Sequence, residues 1–179
     1  MVGTDVSTFL VPVQTPWGGM GGRVPPALLP FLPVLPARFR LTRTPASRDP
    51  AEQTRQTIEL MSHEVRAAVS NPDVRRATAE ALRGLSPHSP ASHRASAIFW
   101  WVKSHLHLVA DPPEDEMLIA PGLLLAMSQP AGDCDDFSML TAAMLEVAGV
   151  PWEFVTIAAD VSDPSRDSHV YVNALVGDE

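Results

Sequence analysis

The strongest pattern in the sequence is a repeat of apolar residues at helical spacing that begins near residue 49. Asp49-Pro50 suits the start of a helix, and Glu52 stands where it would complete a capping box. Apolar residues then recur every three or four positions as far as Val69. Because Asn71-Pro72 repeats the same signal, the pattern predicts two consecutive helices, the second of which stops at Gly84.

Two further long helices are predicted by the same spacing. One runs from about Ala91 to Val109 and ends before a pair of prolines. The other starts at Asp133 and ends at Gly149, the residue type that most often follows a helix. Its predicted buried stripe consists of Phe137, Leu140, Ala143, Met144 and Val147. A short helix is predicted between them, from Pro121 to Ser128.

After Pro151 the pattern changes to one typical of strands. Trp152–Ala159 and Ser168–Val176 are rich in β-branched and aromatic residues, and a turn-rich run from Asp160 to Ser165 separates them. Residues 49–179 are therefore predicted to form one domain, with a helical amino-terminal half and two strands at its end.

Residues 1–48 show neither pattern and are predicted to form an extended, irregular arm. Nine of the 18 prolines and five of the ten glycines lie in residues 1–50. The run from Val24 to Pro36 is too apolar for a solvated linker, whereas its five prolines exclude a membrane-spanning helix. The arm is therefore expected to lie on another surface, either that of its own domain or that of a partner subunit.

The distribution of charge along the chain limits the classes of partner that it is expected to bind. The net charge is −8, but residues 1–50 carry five arginines and two aspartates, so the remainder carries −11. An acidic domain disfavours nucleic-acid binding through residues 49–179. The amino terminus lacks the basic start and uninterrupted apolar run of a signal peptide, so a cytoplasmic location without a transmembrane segment is expected.

Cys134 is the only cysteine, which excludes an internal disulfide framework and most cysteine-based metal sites. It lies at the predicted start of the fourth long helix. A helix amino terminus favours the thiolate and supplies N–H groups that could receive an oxyanion. His169, at the start of a strand, offers an imidazole as general base. Gln129 is either a further oxyanion donor or an ordinary polar residue of a loop.

Structural roles compete with this chemical interpretation. A single cysteine is more often a small buried residue, and a histidine near a strand start is most often structural. The carboxylates of Asp133, Asp135 and Asp136 would also oppose ionisation of the neighbouring thiol, unless they cap the helix or bind nearby backbone. On these features alone, catalytic and structural roles for Cys134 and His169 both stay open.

No metal or cofactor site is predicted. His63-Glu64 begins a zinc-binding helix motif, but Ala67 stands where the second histidine should be. His105 and His107 are two apart in a predicted helix, so they would point in different directions. The glycines at 18–22 are followed by no lysine, so a phosphate-binding loop is not indicated.

The residues around Cys134 and His169 resemble the transglutaminase-like, papain-related superfamily of cysteine proteases. The resemblance covers about residues 50–176 and is most specific in Gly132-Asp133-Cys134-Asp135-Asp136-Phe137, Gly149-Val150-Pro151 and His169-Val170-Tyr171-Val172. Thr57-Ile58-Glu59-Leu60-Met61 is similar to a helix that often precedes this core in small members encoded by bacteriophages and prophages.

This resemblance implies an α+β fold with a papain-like core, in which the cysteine-bearing helix packs on a small antiparallel sheet. It also implies a catalytic triad with Cys134 as nucleophile and His169 as base. The activities it implies are peptide cleavage, amide hydrolysis and acyl transfer to an amine. The third member in the family is an aspartate on the strand after the histidine. Here Asp178 follows His169 by nine residues and is the candidate. The alternatives are an orienting residue elsewhere, a chain truncated relative to its relatives, or a degenerate site.

Two functions follow from these observations. The first is a thiol enzyme that cleaves or transfers a protein acyl group through Cys134 and His169, without a cofactor. The alternative is a structural or assembly protein of a phage particle, in which the fold is a docking module. In that case residues 1–48 bind a partner subunit, and the chain is oligomeric or virion-associated.

Overall fold

The computed structural model describes residues 49–111 and 117–177, together with the backbone of two strands, β1 (Thr8–Leu10) and β2 (Arg40–Arg43). The helices in these ranges are α1 (Pro50–Ala68), α2 (Pro72–Ala81), α3 (Ala91–His105), α4 (Pro121–Ala126) and α5 (Cys134–Val147). The remaining strands are β3 (His107–Leu108), β4 (Met117–Ile119), β5 (Ala131–Gly132), β6 (Trp152–Ile157) and β7 (His169–Ala174). The α+β prediction is therefore confirmed. None of the helices in the described ranges is long and apolar enough to cross a membrane.

The first two helices begin at the predicted capping residues. The side chain of Asp49 accepts a hydrogen bond from the N–H of Ala51. The side chain of Asn71 accepts hydrogen bonds from the N–H groups of Asp73 and Val74. Each cap satisfies N–H groups that have no partner within the helix, so the starts of α1 and α2 follow from local sequence.

Helix α5 lies at the centre of the core. Helices α1, α2 and α3 and strand β7 all pack against it, so α5 has no wide solvated face. The predicted single stripe is wrong in extent, because Met139, Ala142 and Leu145 outside it are also buried, while Phe137 and Val147 within it are only half-buried. A stripe is the pattern of a helix with one packed face, whereas α5 has neighbours on several sides.

The end of α5 matches the sequence prediction. Gly149 has a φ of +66°, a conformation that other residue types rarely adopt. Its N–H donates to the carbonyl of Glu146 at 3.1 Å, and the N–H of Val150 donates to the carbonyl of Leu145 at 2.9 Å. These two bonds form a Schellman motif, which stops the helix and directs the chain into β6.

Strands β6 and β7 form an antiparallel hairpin that packs on α5, as predicted. The register pairs Ile157 with His169 and Thr156 with Val170. Side chains alternate along β7, so Val170 is buried while His169 is exposed. Both strands are shorter than predicted, because the hairpin ladder ends at the pair of Ile157 and His169.

Helix α3 ends at His105, four residues before its predicted end, so that prediction is wrong at the carboxyl end. The chain there turns into β3, which pairs in parallel with β5 through His107 and Ala131. His105 remains in the helix, with its ring stacked on Trp101 at a centroid distance of 4.0 Å. His107 is in a strand, and the expectation that both histidines are helical is corrected. The pairing joins distant residues and has no local signature.

Two strands lie within the arm that the sequence predicts to be irregular, which corrects that prediction for Thr8–Leu10 and Arg40–Arg43. Strand β2 pairs antiparallel with both β1 and β4, which gives the sheet order β1-β2-β4. Residues 37–44 contain no proline, so each N–H of β2 is able to donate to a neighbouring strand. This pairing places β2 on the chain's own domain. The apolar run from Val24 to Pro36 lies outside the described residues.

Candidate active site

Cys134 is the first residue of α5, as predicted. Asp133 occupies the cap position, and its carbonyl accepts the first helical hydrogen bond, from Phe137 at 3.0 Å, although its side chain makes no capping bond. Cys134 is half-buried. The N–H groups of the first helical turn have no partners further back in the helix, so they are oriented toward the region before α5.

Cys134 and His169 line the same cavity, which has a volume of about 380 Å³. One wall is α1, which contributes Thr54, Thr57 and other residues along one side. The start of α5, strands β6 and β7 and the loop that joins these two strands contribute the other described residues of the lining. The structure therefore brings the predicted nucleophile and the predicted base to one concave surface.

The two residues differ in exposure. His169 is exposed, and the next residue, Val170, is the one that is buried against the core. Cys134 is half-buried at the helix start. His169 therefore borders the solvent side of the cavity, whereas Cys134 lies closer to the core.

Asp136 joins the start of α5 to β4. Its Oδ1 accepts a hydrogen bond from the N–H of Ile119 at 2.7 Å, and the residue is only 1% exposed. Burial raises the pKa of Asp136 well above its usual range, and the negative charges of Asp133 and Asp111 add to this rise against the opposing hydrogen bond from Ile119. The expectation that an aspartate beside Cys134 binds neighbouring backbone is confirmed for Asp136.

Gly132 makes room for this carboxyl group. A Cβ atom at position 132 would lie 2.3 Å from Oδ2 of Asp136 and 2.6 Å from its Cβ, both far inside contact distance. The glycine that precedes Asp133 and Cys134 is therefore required by the close approach of a side chain from the first turn of the helix.

Comparison of the chain with known protein families, with curated proteins and with solved structures found no match.

Three carboxylates beside the thiol could contribute ligands to a cation. One oxygen from each of Asp133, Asp135 and Asp136 lies within 4.8 Å of the others. Carboxylate oxygens suit hard cations such as Ca²⁺, which take six to eight ligands, so other groups would have to supply the rest. One oxygen of Asp136 already binds the backbone of Ile119, and we assign this residue to fixing the helix start.

The sequence analysis missed the charge of the cavity wall. Among the residues that the structure describes, four carboxylates and one guanidinium, that of Arg166, line the cavity. The carboxylates belong to Asp133, Asp160, Asp163 and Asp167, three of them in the loop between β6 and β7. The available signal was the composition of residues 131–179, which hold ten acidic residues and one arginine. The sequence predicts only a turn here, because the position of the loop beside Cys134 depends on the hairpin register.

Hydrogen bonds hold each of the three loop carboxylates by one oxygen. Oδ1 of Asp160 accepts from the N–H and hydroxyl of Ser162, at 2.8 and 2.6 Å, and these bonds lower the pKa of Asp160. Oδ1 of Asp163 accepts from Ser165 at 2.7 Å, and Oδ2 of Asp167 accepts from Thr156 at 2.7 Å. The loop therefore presents fixed negative charge at the cavity that contains Cys134.

Two other predicted site residues are not placed at the cavity. Asp178, the candidate third member of the triad, lies outside the described residues. Gln129 is exposed and is not among the residues that line the cavity. The oxyanion donor is therefore sought in the first turn of α5, whose N–H groups adjoin Cys134.

Proposed function

We propose that the protein is a transglutaminase-like thiol enzyme that cleaves or transfers the acyl group of a protein amide. The observation that carries this proposal is the cavity lined by both Cys134 and His169. The packing of the cysteine-bearing helix on the β6-β7 hairpin agrees with the papain-like arrangement that the sequence resemblance implies.

The proposed reaction follows from the positions of these groups. His169 takes the thiol proton, and the sulfur of Cys134 attacks the carbonyl carbon of the amide. The N–H groups at the start of α5 stabilise the negative oxygen that forms. The carbon–nitrogen bond then breaks, the amine leaves with the proton from His169, and a thioester remains. Attack by water or by a second amine releases the acyl group and restores the thiol.

The state of Asp136 supports this chemistry. Adjacent negative charge opposes formation of a thiolate, and the sequence places three aspartates beside Cys134. Burial favours the neutral form of Asp136, because it raises the pKa of this carboxyl group. The neutral form removes one negative charge from the start of α5, where the partial positive charge of the helix favours the thiolate. The loop carboxylates of the cavity act in the opposite sense.

Alkylation of Cys134 by limiting iodoacetamide across a range of pH tests the proposal. We expect the midpoint of the rate profile below the free-thiol value of about 8.5, and we expect His169→Ala to move it upward. The matched control is His88→Ala, which removes an exposed imidazole away from the cavity. A slow thiol with an ordinary midpoint, unaffected by His169→Ala, would overturn the enzyme assignment.

The phage assembly alternative depends on residues 1–48 binding a partner subunit. The pairing of β2 with β4 directs residues 40–43 to the chain's own domain instead, and this favours the enzyme. Sedimentation of the full chain at increasing concentration tests the alternative. A persistent monomer would count against it, and a defined oligomer would support it.

A further inference from the structure

We infer that Ser138 is a positioning residue, whose hydroxyl holds the helix of Cys134 and the strand of His169 in a fixed relation. The inference rests on the proposed function, because it concerns two side chains that must act together. It adds a residue that neither the sequence pattern nor the family resemblance assigns to the site.

The contacts of Ser138 connect the two elements directly. Its Oγ lies 2.6 Å from the carbonyl oxygen of Cys134 and 3.3 Å from the carbonyl oxygen of Val170, so its single proton is shared between these two acceptors. The first carbonyl belongs to the proposed nucleophile, and the second belongs to the residue after the proposed base. Ser138 is only 5% exposed, so water competes little for either contact.

A neighbouring hydroxyl provides a comparison within the same helix. The hydroxyl of Thr141 donates to the carbonyl of Phe137, four positions earlier, at 2.7 Å. Ser138 makes the same type of bond to the carbonyl of Cys134. Among the described contacts of these two residues, only the hydroxyl of Ser138 also lies within hydrogen-bond distance of an acceptor in β7. The contact to Val170 therefore distinguishes a hydroxyl that links helix and strand from one that bonds only within the helix.

The position of this contact matters because the catalytic pair lies on different elements. Cys134 is the first residue of helix α5, and His169 is the first residue of strand β7. The covalent link between Cys134 and His169 is the intervening chain, which is too long to fix their separation. Packing and hydrogen bonds near these ends of α5 and β7 must therefore fix it. Proton transfer requires the base within hydrogen-bond reach of the thiol, and small displacements weaken it steeply.

The test measures the pH profile of Cys134 alkylation in the full chain for the wild type, Ser138→Ala, Thr141→Val, His169→Ala and the double variant Ser138→Ala with His169→Ala. We expect Ser138→Ala to move the profile toward that of His169→Ala and to slow alkylation at pH 7 by roughly threefold to tenfold, the range of one buried hydrogen bond. Thr141→Val should leave the profile unchanged. The double variant should match His169→Ala, because the serine acts through the histidine.

The outcomes separate this inference from the proposed function. If His169→Ala shifts the profile and Ser138→Ala behaves like Thr141→Val, the serine is only structural and the inference is wrong. If His169→Ala has no effect, the proposed function itself fails. If circular dichroism shows that Ser138→Ala does not fold, Ser138→Thr is measured in its place, because this variant retains the hydroxyl. That variant must keep the wild-type profile, and a shifted profile overturns the inference.

Discussion

Oδ1 of Asp136 lies 2.7 Å from the backbone nitrogen of Ile119, so the first turn of the cysteine helix is fixed to a strand 17 residues earlier in the chain. The carboxyl group that makes this bond is buried, and burial raises its pKa well above the usual range. This relationship links the stability of the fold to pH at the position next to Cys134.

The first prediction concerns that pH dependence. Since the pKa of Asp136 is raised in the folded protein, the folded state binds the proton more tightly than the unfolded chain. Its contribution to the free energy of unfolding is fully present below the unfolded-state pKa of about 3.9 and is lost as the pH rises through the folded-state pKa.

Asp136→Asn removes the titrating group but keeps an oxygen able to accept from Ile119. The free energy of unfolding of the wild type, relative to this variant, should therefore fall as the pH rises from about 4 toward neutrality. Urea unfolding of both proteins at several pH values measures the difference. A difference that is constant or grows with pH would contradict the buried neutral carboxyl.

The second prediction concerns Gly132. Replacing it by alanine places a Cβ 2.3 Å from Oδ2 of Asp136, whose other oxygen is held by Ile119. We expect a loss of about 1–3 kcal/mol in the free energy of unfolding, as for overpacked cores. Gly177→Ala is the control, because its added Cβ has no neighbour within 4 Å in the described part of the chain. Equal urea midpoints for the two variants would show that the start of α5 moves to accommodate the added methyl group, which would contradict the prediction.

The third prediction follows from the charge of the cavity wall. A cationic methanethiosulfonate reagent should modify Cys134 at least about tenfold faster than an anionic one at low salt, because carboxylates outnumber guanidinium groups there. The rates are normalised to those of 2-mercaptoethanol. Added salt should reduce the ratio, and Asp160→Asn should reduce it further. A normalised ratio near one would show that the loop carboxylates do not act at the thiol.

The fourth prediction concerns the cap of α2. The side-chain oxygen of Asn71 accepts from two N–H groups, those of Asp73 at 2.8 Å and Val74 at 3.4 Å. Asn71→Ala should lower the free energy of unfolding by about 1 kcal/mol. Asn71→Asp retains the acceptor and should stay close to the wild type. Thermal unfolding of the three proteins tests this, and equal losses in both variants would rule out the cap as the cause.

Local signals in the sequence were sufficient wherever the cause of a structure lies within a few residues. The caps at Asp49 and Asn71 and the glycine at 149 fix helix ends because their hydrogen bonds join residues no more than five apart. The same locality placed Cys134 at the start of α5. The catalytic role of Cys134 and His169 stays a prediction, as does that of Asp178.

The missed features depend on residues that are far apart in the chain. The pairing of β3 with β5 shortened α3, and the pairing of β2 with β4 gave strands to a proline-rich arm. The burial of α5 on several sides also depended on its neighbours rather than on its own pattern. No periodicity within a single segment contains this information, because each partner comes from another segment.

The sequence by itself therefore determined that Cys134 begins a helix and that His169 begins a strand, since both follow from capping, turn and alternation signals nearby. Only the tertiary structure decided that the two residues line one cavity, with Ser138 bonded between their elements and an acidic loop along its wall. The reason is physical: hydrogen bonds within a helix turn or hairpin are set by neighbouring residues, whereas a cavity is formed by the packing of α1, α5 and the β6-β7 hairpin against one another.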